Sequence, residues 1–468
     1  MSVPHVTIEV YRGSGGRNAV KFRVERDALG EAVSFVARAL PTRPVVPVLS
    51  GLLVEADGDQ LMLSCFDYEV SAKVTIAADV GEPGTALVPG RLLAEISRSL
   101  PSADVEVVTA AGMVMLTCGN AEFALVALPL EDYPALPDLP AVAGTVDGAV
   151  LATAAAQVVP SASRDDTLPM LTGVCLDFDG RALTLAATDR YRLAVRTVTW
   201  EPAEPELRAS ALVPARTLAD VARSMGPGRP VTIAFSQPGP DAARPADGMI
   251  SFEGGGRRLT ARLIGAEFIR YQSRFPATFD VTAELAAGPF IEAVRRVSLV
   301  ADRATPVQLA FRRDVVAIEA RSDGRARALE SVPVTFTGAS QTISFNPQYL
   351  LDGITAAALS GHERSPADAD PTAAAPHAAG RIKLEFTSPA KPALISWVEG
   401  DATPGAGADS QAADSTELAG NGAATHAVAS EVPVASEELS APGRGEREAA
   451  DAAPFRYLVV PLRVPAVG

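Results

Sequence analysis

The sequence predicts an α+β protein in which one domain fold is used three times. Two repeated markers and their common spacing carry that reading. The first marker runs from Leu171 to Arg196, LTGVCLDFDGRALTLAATDRYRLAVR. An apolar run to Phe178 meets an Asp-Gly turn at Asp179-Gly180, a second run returns from Leu183 to Ala187, and Thr188 to Arg192 leads into a third. Asp-Gly between two alternating runs is a strong hairpin signal. An earlier copy starts at Val48, VLSGLLVEADGDQLMLSCFDYEVSAKV, with Gly51 on Gly173, Asp57-Gly58 on Asp179-Gly180 and Asp67 on Asp189. A weaker third copy starts near Val307.

The second marker follows each copy: ALVPGRLLAEISRSLP from Ala86, ALVPARTLADVARSMG from Ala211 and ISFNPQYLLDGITAAAL from Ile343. In each, a strand-like run meets a Pro at the start of a helical pattern, where a missing N–H costs least. The period of roughly 120 to 135 residues suits a whole domain and is too long for a solenoid unit.

In chain order, residues 1–17 read as an N-terminal extension, 18–143 as the first domain, 144–281 as the second and 282–468 as the third. Two polar, low-complexity inserts interrupt the third, at about 361–380 and 400–454. Between them Arg381 to Glu399 alternates like two strands, and Phe455 to Pro465 closes the chain as another. The net charge of −15 is unevenly placed: Asp401 to Asp451 holds ten acids against two arginines. The acidity therefore belongs largely to the insert and does not exclude a nucleic-acid partner. No run of about 18 uncharged apolar residues exists, so no membrane span is expected. The N-terminal residues lack the charged-then-apolar pattern of a secretory signal. Cys65, Cys118 and Cys175 stand in apolar strand contexts and read as buried free thiols.

The helices after Pro89 and Pro214 carry the sharpest signal. Leu93, Ile96 and Leu100 form a core face in one, and Leu218, Val221, Ala222 and Met225 in the other. Arg91 and Arg98 follow Pro89 at the same two offsets at which Arg216 and Arg223 follow Pro214. A seven-residue separation is close to two turns, so each pair shares a helix face. Arginine on a solvated face is common, yet repetition at identical offsets favours a shared electrostatic surface. The third domain departs, with Tyr349 and Ala356 at the equivalent offsets and its basic residues at Arg295, Arg296 and Arg303. Arginine faces without aromatic platforms suit a duplex backbone better than single-stranded bases. No recognition helix, zinc finger or basic zipper is present, so sequence-specific reading is not expected.

Catalytic signatures are missing from the sequence. The four histidines, His5, His362, His377 and His426, lie in the extension or the inserts. There is no phosphate-loop motif, no dinucleotide fingerprint and no paired Cys-x-x-Cys. Gly254-Gly255-Gly256 before Arg257-Arg258 reads as a hairpin turn rather than a phosphate cradle. Asp165-Asp166 reads as a solvated loop rather than a metal pair. No metal and no cofactor are expected.

Together the three copies, LTG…ATDRYRLAV, the repeated VPxR helix start, FNPQYLLD and the terminal RYLVVPLR resemble the bacterial DNA polymerase III β subunit family, the sliding clamps. The likeness runs from about Val20 over nearly the whole chain apart from the inserts, and looks most like the actinobacterial members. It implies DNA-clamp domains, each with two pore-lining helices backed by outer antiparallel sheets, in a head-to-tail homodimeric ring. Such a ring encircles double-stranded DNA without sequence preference and tethers the replicative polymerase. The implied partners are the polymerase III alpha subunit, the clamp loader and other proteins with clamp-binding motifs, in the cytoplasm at the nucleoid. By the same resemblance Arg43, Arg91, Arg98, Arg216, Arg223, Arg295 and Arg296 would face DNA.

The family binds client peptides in a pocket between the second and third domains. Carried over position by position, that pocket takes Leu171, Thr188, Arg190, Tyr191, Arg192, Leu193, Ile269, Ser273 and Arg274 on one side. On the other it takes Asn346, Tyr349, Ala390, Pro392, Leu458, Val459, Val460, Pro461, Leu462, Arg463 and Val464. Several positions depart from the family pattern: Ile269 stands for a proline, Ser273 for a longer polar residue, Arg274 for an apolar one, and Ala304 for a larger aromatic. The chain also ends in an extra PAVG. A charge in an apolar groove weakens or redirects peptide binding. Three readings follow: a working processivity clamp, a specialised paralogue that serves repair polymerases or confers tolerance to a clamp-binding inhibitor, and an enzyme on a repeated sheet scaffold.

Overall fold

A computed structural model describes residues 20–226, 228–236, 248–301, 305–322, 325–362, 380–399 and 455–462. The extension 1–17, Arg303, Ala304, Arg463, Val464, His5, His377, His426 and nearly all of both inserts lie outside the described residues. The chain falls into two compact units, one from residues 1–142, 231–236 and 249–262, the other from 143–230, 237–248 and 263–468.

In the first unit helices α1 (Arg26–Arg38) and α2 (Gly90–Ser99) pack against each other. Leu29, Ala32, Val33 and Val36 recur at three- and four-residue intervals, so α1 buries one stripe. A five-stranded antiparallel sheet runs in the order Asp79–Glu82, Lys21–Val24, Val105–Ala110, Met113–Cys118, Ala121–Val126. A second ladder joins Met249–Gly254, Arg257–Arg262, Val70–Ala77, Gln60–Phe66, Gly51–Asp57 and Gly84–Pro89. Alternate residues such as Leu61, Leu63 and Cys65 are buried, as a strand with one face on the core requires. The Asp-Gly turn is present, with Asp57 opposite Gln60 and Gly58 at φ +60°. Gly255 and Gly256, both at positive φ, close the two-residue turn between Gly254 and Arg257, so this stretch is a hairpin and not a cradle.

The second unit holds α3 (Gly148–Val158), α4 (Ala215–Ser224), α5 (Ala287–Ser298) and α6 (Pro347–Leu359). The helices pack as the pairs α3 with α4 and α5 with α6, and α3 also touches α6. One nine-stranded antiparallel sheet spans this unit. It contains the second hairpin marker (Gly173–Asp179, Ala182–Thr188, Arg192–Thr199) and the later strands Ala393–Glu399, Gly380–Phe386 and Val281–Ala286. The terminal strand Phe455–Val459 is the seam, pairing with Arg192–Thr199 on one side and Ala393–Glu399 on the other. A four-stranded sheet in the order Ala326–Pro333, Val315–Ser322, Val307–Phe311, Gln341–Phe345 completes the unit.

Two details differ from the sequence expectation. The first strand of the second marker begins at Gly173, because Pro169–Leu171 forms a 3-10 turn. Pro89 and Pro214 end strands and stand just before α2 and α4 rather than inside them. Their ring-fixed φ of −59° and −54° fits an extended residue as well as a helical one. All three cysteines are buried free thiols; burial pushes those of Cys65 and Cys175 up to about 12.

Candidate functional site

The turn Thr188 to Arg192 is built by its own side chains. Asp189 Oδ1 accepts from the backbone N–H groups of Tyr191 (3.0 Å) and Arg192 (3.1 Å). Thr188 Oγ1 donates to the Arg192 carbonyl at 2.6 Å and accepts from Arg190 N–H at 3.2 Å. These bonds hold Arg190 at φ +81°, a region that side chains other than Gly seldom occupy.

Arg192 is 9 % exposed and tied on three sides: to Asp189 Oδ2 at 2.9 Å, to Asp352 on α6, and to the Pro160 carbonyl. Its guanidinium lies 4.4 Å from the centre of the Tyr349 ring, which stacks in turn with Tyr191 at 6.3 Å. Tyr457 Oη donates to the Tyr349 carbonyl at 2.8 Å. Burial raises the Asp189 carboxyl above its usual range, opposed by the Arg192 charge. Arg192 therefore joins the turn to α6 and supports the two tyrosine rings rather than lying open. Asn346 is likewise structural: its Oδ1 accepts from Gln348 and Tyr349 N–H and caps α6.

Beside this polar knot lies an apolar face. Leu193, Leu458 and Leu394 stand opposite one another on three adjacent strands. They belong to a cluster with Cys175, Ala186, Val195, Leu212 and Tyr271, against which Met170, Ile264, Phe268, Ile269 and Phe275 pack half-buried. Leu171, Thr188, Val459, Val460 and Pro461 are buried and back the surface, whereas Ser273 and Ala390 are exposed. Pro392, Arg274 and Leu462 are half-buried. Val460 N–H donates to the Tyr191 carbonyl and Leu462 N–H to the Ser344 carbonyl, both at 2.8 Å, which fixes this end of the described chain beside the turn. Sequence reasoning missed Asp352 here. Tyr271 donates its hydroxyl to Asp177 at 2.7 Å. Asp189 carried a signal, its match to Asp67; Asp352 carried none.

The arginines differ among themselves. Arg43, Arg98 and Arg216 are exposed and make no ion pair among the described residues. Arg91 donates to the carbonyls of Leu40 (3.2 Å) and Pro41 (3.0 Å), holding the chain that leads to Arg43. Arg223 pairs with Asp220 at 2.7 Å, Arg295 with Glu292, and Arg296 with Glu330 at 2.6 Å. The Arg296 hydrogen bond holds the Glu330 carboxyl below its usual range. Exposed pairs of this kind are weak and leave the guanidinium exchangeable. Among the described residues no helix is long and apolar enough to cross a membrane.

The three domain models of the DNA polymerase III beta subunit match in order: the N-terminal domain at residues 20–137, the central at 145–269 and the C-terminal at 272–361. The beta sliding clamp of Streptomyces coelicolor is 47% identical over 377 residues, 81% of this chain and 94% of that protein. The beta sliding clamp homolog GriR of Streptomyces muensis is 43% identical over 72% of this chain and 88% of its own length. The fold matches the crystal structure of the Bacillus subtilis DNA polymerase sliding clamp with a TM-score of 0.71, 21% identity and coverage of 96% and 100% of the two chains. With a helix pair and antiparallel sheets recurring in each of three matched segments, the chain belongs to the DNA polymerase III beta subunit family, the bacterial beta sliding clamps.

Proposed function

We propose that two copies of this chain close head to tail around duplex DNA and tether the replicative polymerase, without catalysing a reaction themselves. The observation that carries this reading is the repeated helix pair on a sheet, with arginines at equal offsets on α2 and α4. Few and weak phosphate contacts, exposed or exchangeable as described above, let a ring slide while its topology keeps it on the DNA. Ring closure is supported by two sheet edges. Ala121–Val126 is the last strand of its sheet, with Val126 64% exposed. Ala326–Pro333 is the last strand of another, with Leu329 56% exposed. A bare apolar edge invites a partner strand. The domains are taken as 18–143, 144–281 and 282–468. The clients are the polymerase III alpha subunit, the clamp loader and other clamp-motif proteins, met in the cytoplasm through the surface around Leu193, Tyr349 and Leu458.

The test is retention on nicked circular DNA after treatment with the host clamp loader and a high-salt wash. Salt removes phosphate-driven binding but cannot release a closed ring from a circle. The protein is expected to stay on the circle and to leave when the DNA is cut. Loss from intact circles overturns the ring.

A second reading, a specialised paralogue, is favoured by the pocket wall. Ile269 packs on the apolar cluster, and Arg274 stands half-buried beside Phe275 where the family carries an apolar residue. On this reading Arg274→Val raises the affinity for polymerase-derived peptides; unchanged affinity removes the case for it.

A further inference from the structure

We propose that Arg456 reads a carboxylate on the client segment, selecting peptides that carry an acidic side chain two residues from their apolar anchor. This rests on the pocket reading above. Arg456 lies on the terminal strand, two residues before Leu458 and therefore on the same sheet face. It stands opposite Val195, next in the row Cys175, Ala186, Val195 that borders the leucine row. The cation thus sits where the apolar face ends.

The side chain is held, without a counter-ion among the described residues. Its guanidinium is half-buried and lies 4.2 Å from the centre of the Phe275 ring, which fixes its plane. Among the described residues no carboxylate pairs with it. Asp177, on the same sheet, is engaged by the Tyr271 hydroxyl. Burial pulls the Arg456 pKa below its usual value, yet a guanidinium stays charged. A half-buried cation without an anion is costly to keep. Arg192, on the neighbouring strand, by contrast has two carboxylate partners.

The expected partner follows from geometry. With Phe275 covering one face, the N–H fork at the edge remains, and that fork matches a carboxylate in two parallel bonds. An extended segment advances about 6.6–6.8 Å in two residues. This is the step from Leu458 to Arg456 along their strand. A peptide whose apolar anchor meets the leucine row then places its second neighbour over the guanidinium.

The test uses the full chain and short fluorescein-labelled peptides with one Leu-Phe anchor and either Glu or Gln two residues to one side or the other. Anisotropy titrations at low salt are expected to show the Glu peptide binding about ten-fold tighter than the Gln peptide, on one side of the anchor only. R456Q abolishes that ratio and leaves the Gln peptide unchanged, while R456K keeps part of it. Melting curves that overlay the parent confirm that both variants fold. Equal binding of Glu and Gln peptides by the parent overturns the role of Arg456 alone. A Glu preference that survives in R456Q overturns it too. If the parent binds neither peptide, the pocket reading falls and this inference with it.

Discussion

The first and second copies of the hairpin marker build the same turn for different ends. Asp67 Oδ1 accepts from Glu69 and Val70 N–H at 3.0 and 2.7 Å, as Asp189 Oδ1 does from Tyr191 and Arg192. Tyr68 and Arg190 sit at φ +71° and +81° in matching places. The next strand also engages each turn alike, through Arg262 N–H to the Glu69 carbonyl and Val460 N–H to the Tyr191 carbonyl. The contrast lies in the last turn residue. Val70 is half-buried and uncharged, whereas Arg192 is buried between two carboxylates and reaches α6. A shared backbone device thus forms a surface corner in one copy and a tie between two repeats in the other.

The largest expected effect is on that tie. Arg192→Ala leaves Asp189 and Asp352 without their cation and should destabilise the chain by about 3–5 kcal/mol. Val70→Ala should cost about 1 kcal/mol. Urea unfolding of the two variants compares them directly, and equal costs would mean that the buried pair is not what distinguishes the copies.

Glycines in the helices of the two units sharpen the same contrast between open and committed packing. A Cβ on Gly353 in α6 would stand 2.4 Å from the Tyr457 ring, and Gly353→Ala should cost about 1–3 kcal/mol. A Cβ on Gly30 in α1 meets only the Ser97 carbonyl, at 3.8 Å. Gly30→Ala should therefore stabilise by about 0.5–1 kcal/mol through helix propensity. Opposite shifts in melting temperature are the expected outcome.

The smallest effect is electrostatic. The Glu330 carboxyl is held below its usual range by Arg296, so the pair's contribution is complete above the unfolded carboxylate pKa, near pH 4.3 (roughly). It is lost as pH falls through the depressed value. Asp189 has the opposite sign: burial raises its pKa, so its own titration disfavours the folded state as pH rises through the window above the unfolded value. Because the Glu330 pair is largely exposed, Glu330→Gln should flatten the acid limb of stability by less than about 1 kcal/mol. Denaturation midpoints at neutral and acid pH read the change.

Much of the fold was legible because its signals are local. Asp57-Gly58 and Asp179-Gly180 gave both hairpins, and alternation gave Arg381 to Glu399 as two strands, now Gly380–Phe386 and Ala393–Glu399. Helix faces such as Leu218, Val221 and Met225 followed from their period and are buried. The candidate site was legible only in part. Repetition and resemblance pointed to Arg192 and Asn346 as pocket residues, but the work of their side chains depends on neighbours that periodicity does not reveal. Asp352 stands 160 positions from Arg192, and no spacing rule links residues so far apart.

The sequence by itself determined the repeat, the elements within each copy and the identical turn chemistry, because strand alternation, helical period and side-chain caps act over a few residues. Only the tertiary structure decided which charges are tied and which stay open. Pairing Arg192 with Asp352, Arg296 with Glu330, and Arg456 with the Phe275 ring requires segments far apart in the chain to meet. The terminal strand Phe455–Val459 shows the same dependence, since it became the seam of the sheet through hydrogen bonds to strands on both sides. Burial and partner geometry, which set the energy of a charge, exist only once the chain has folded.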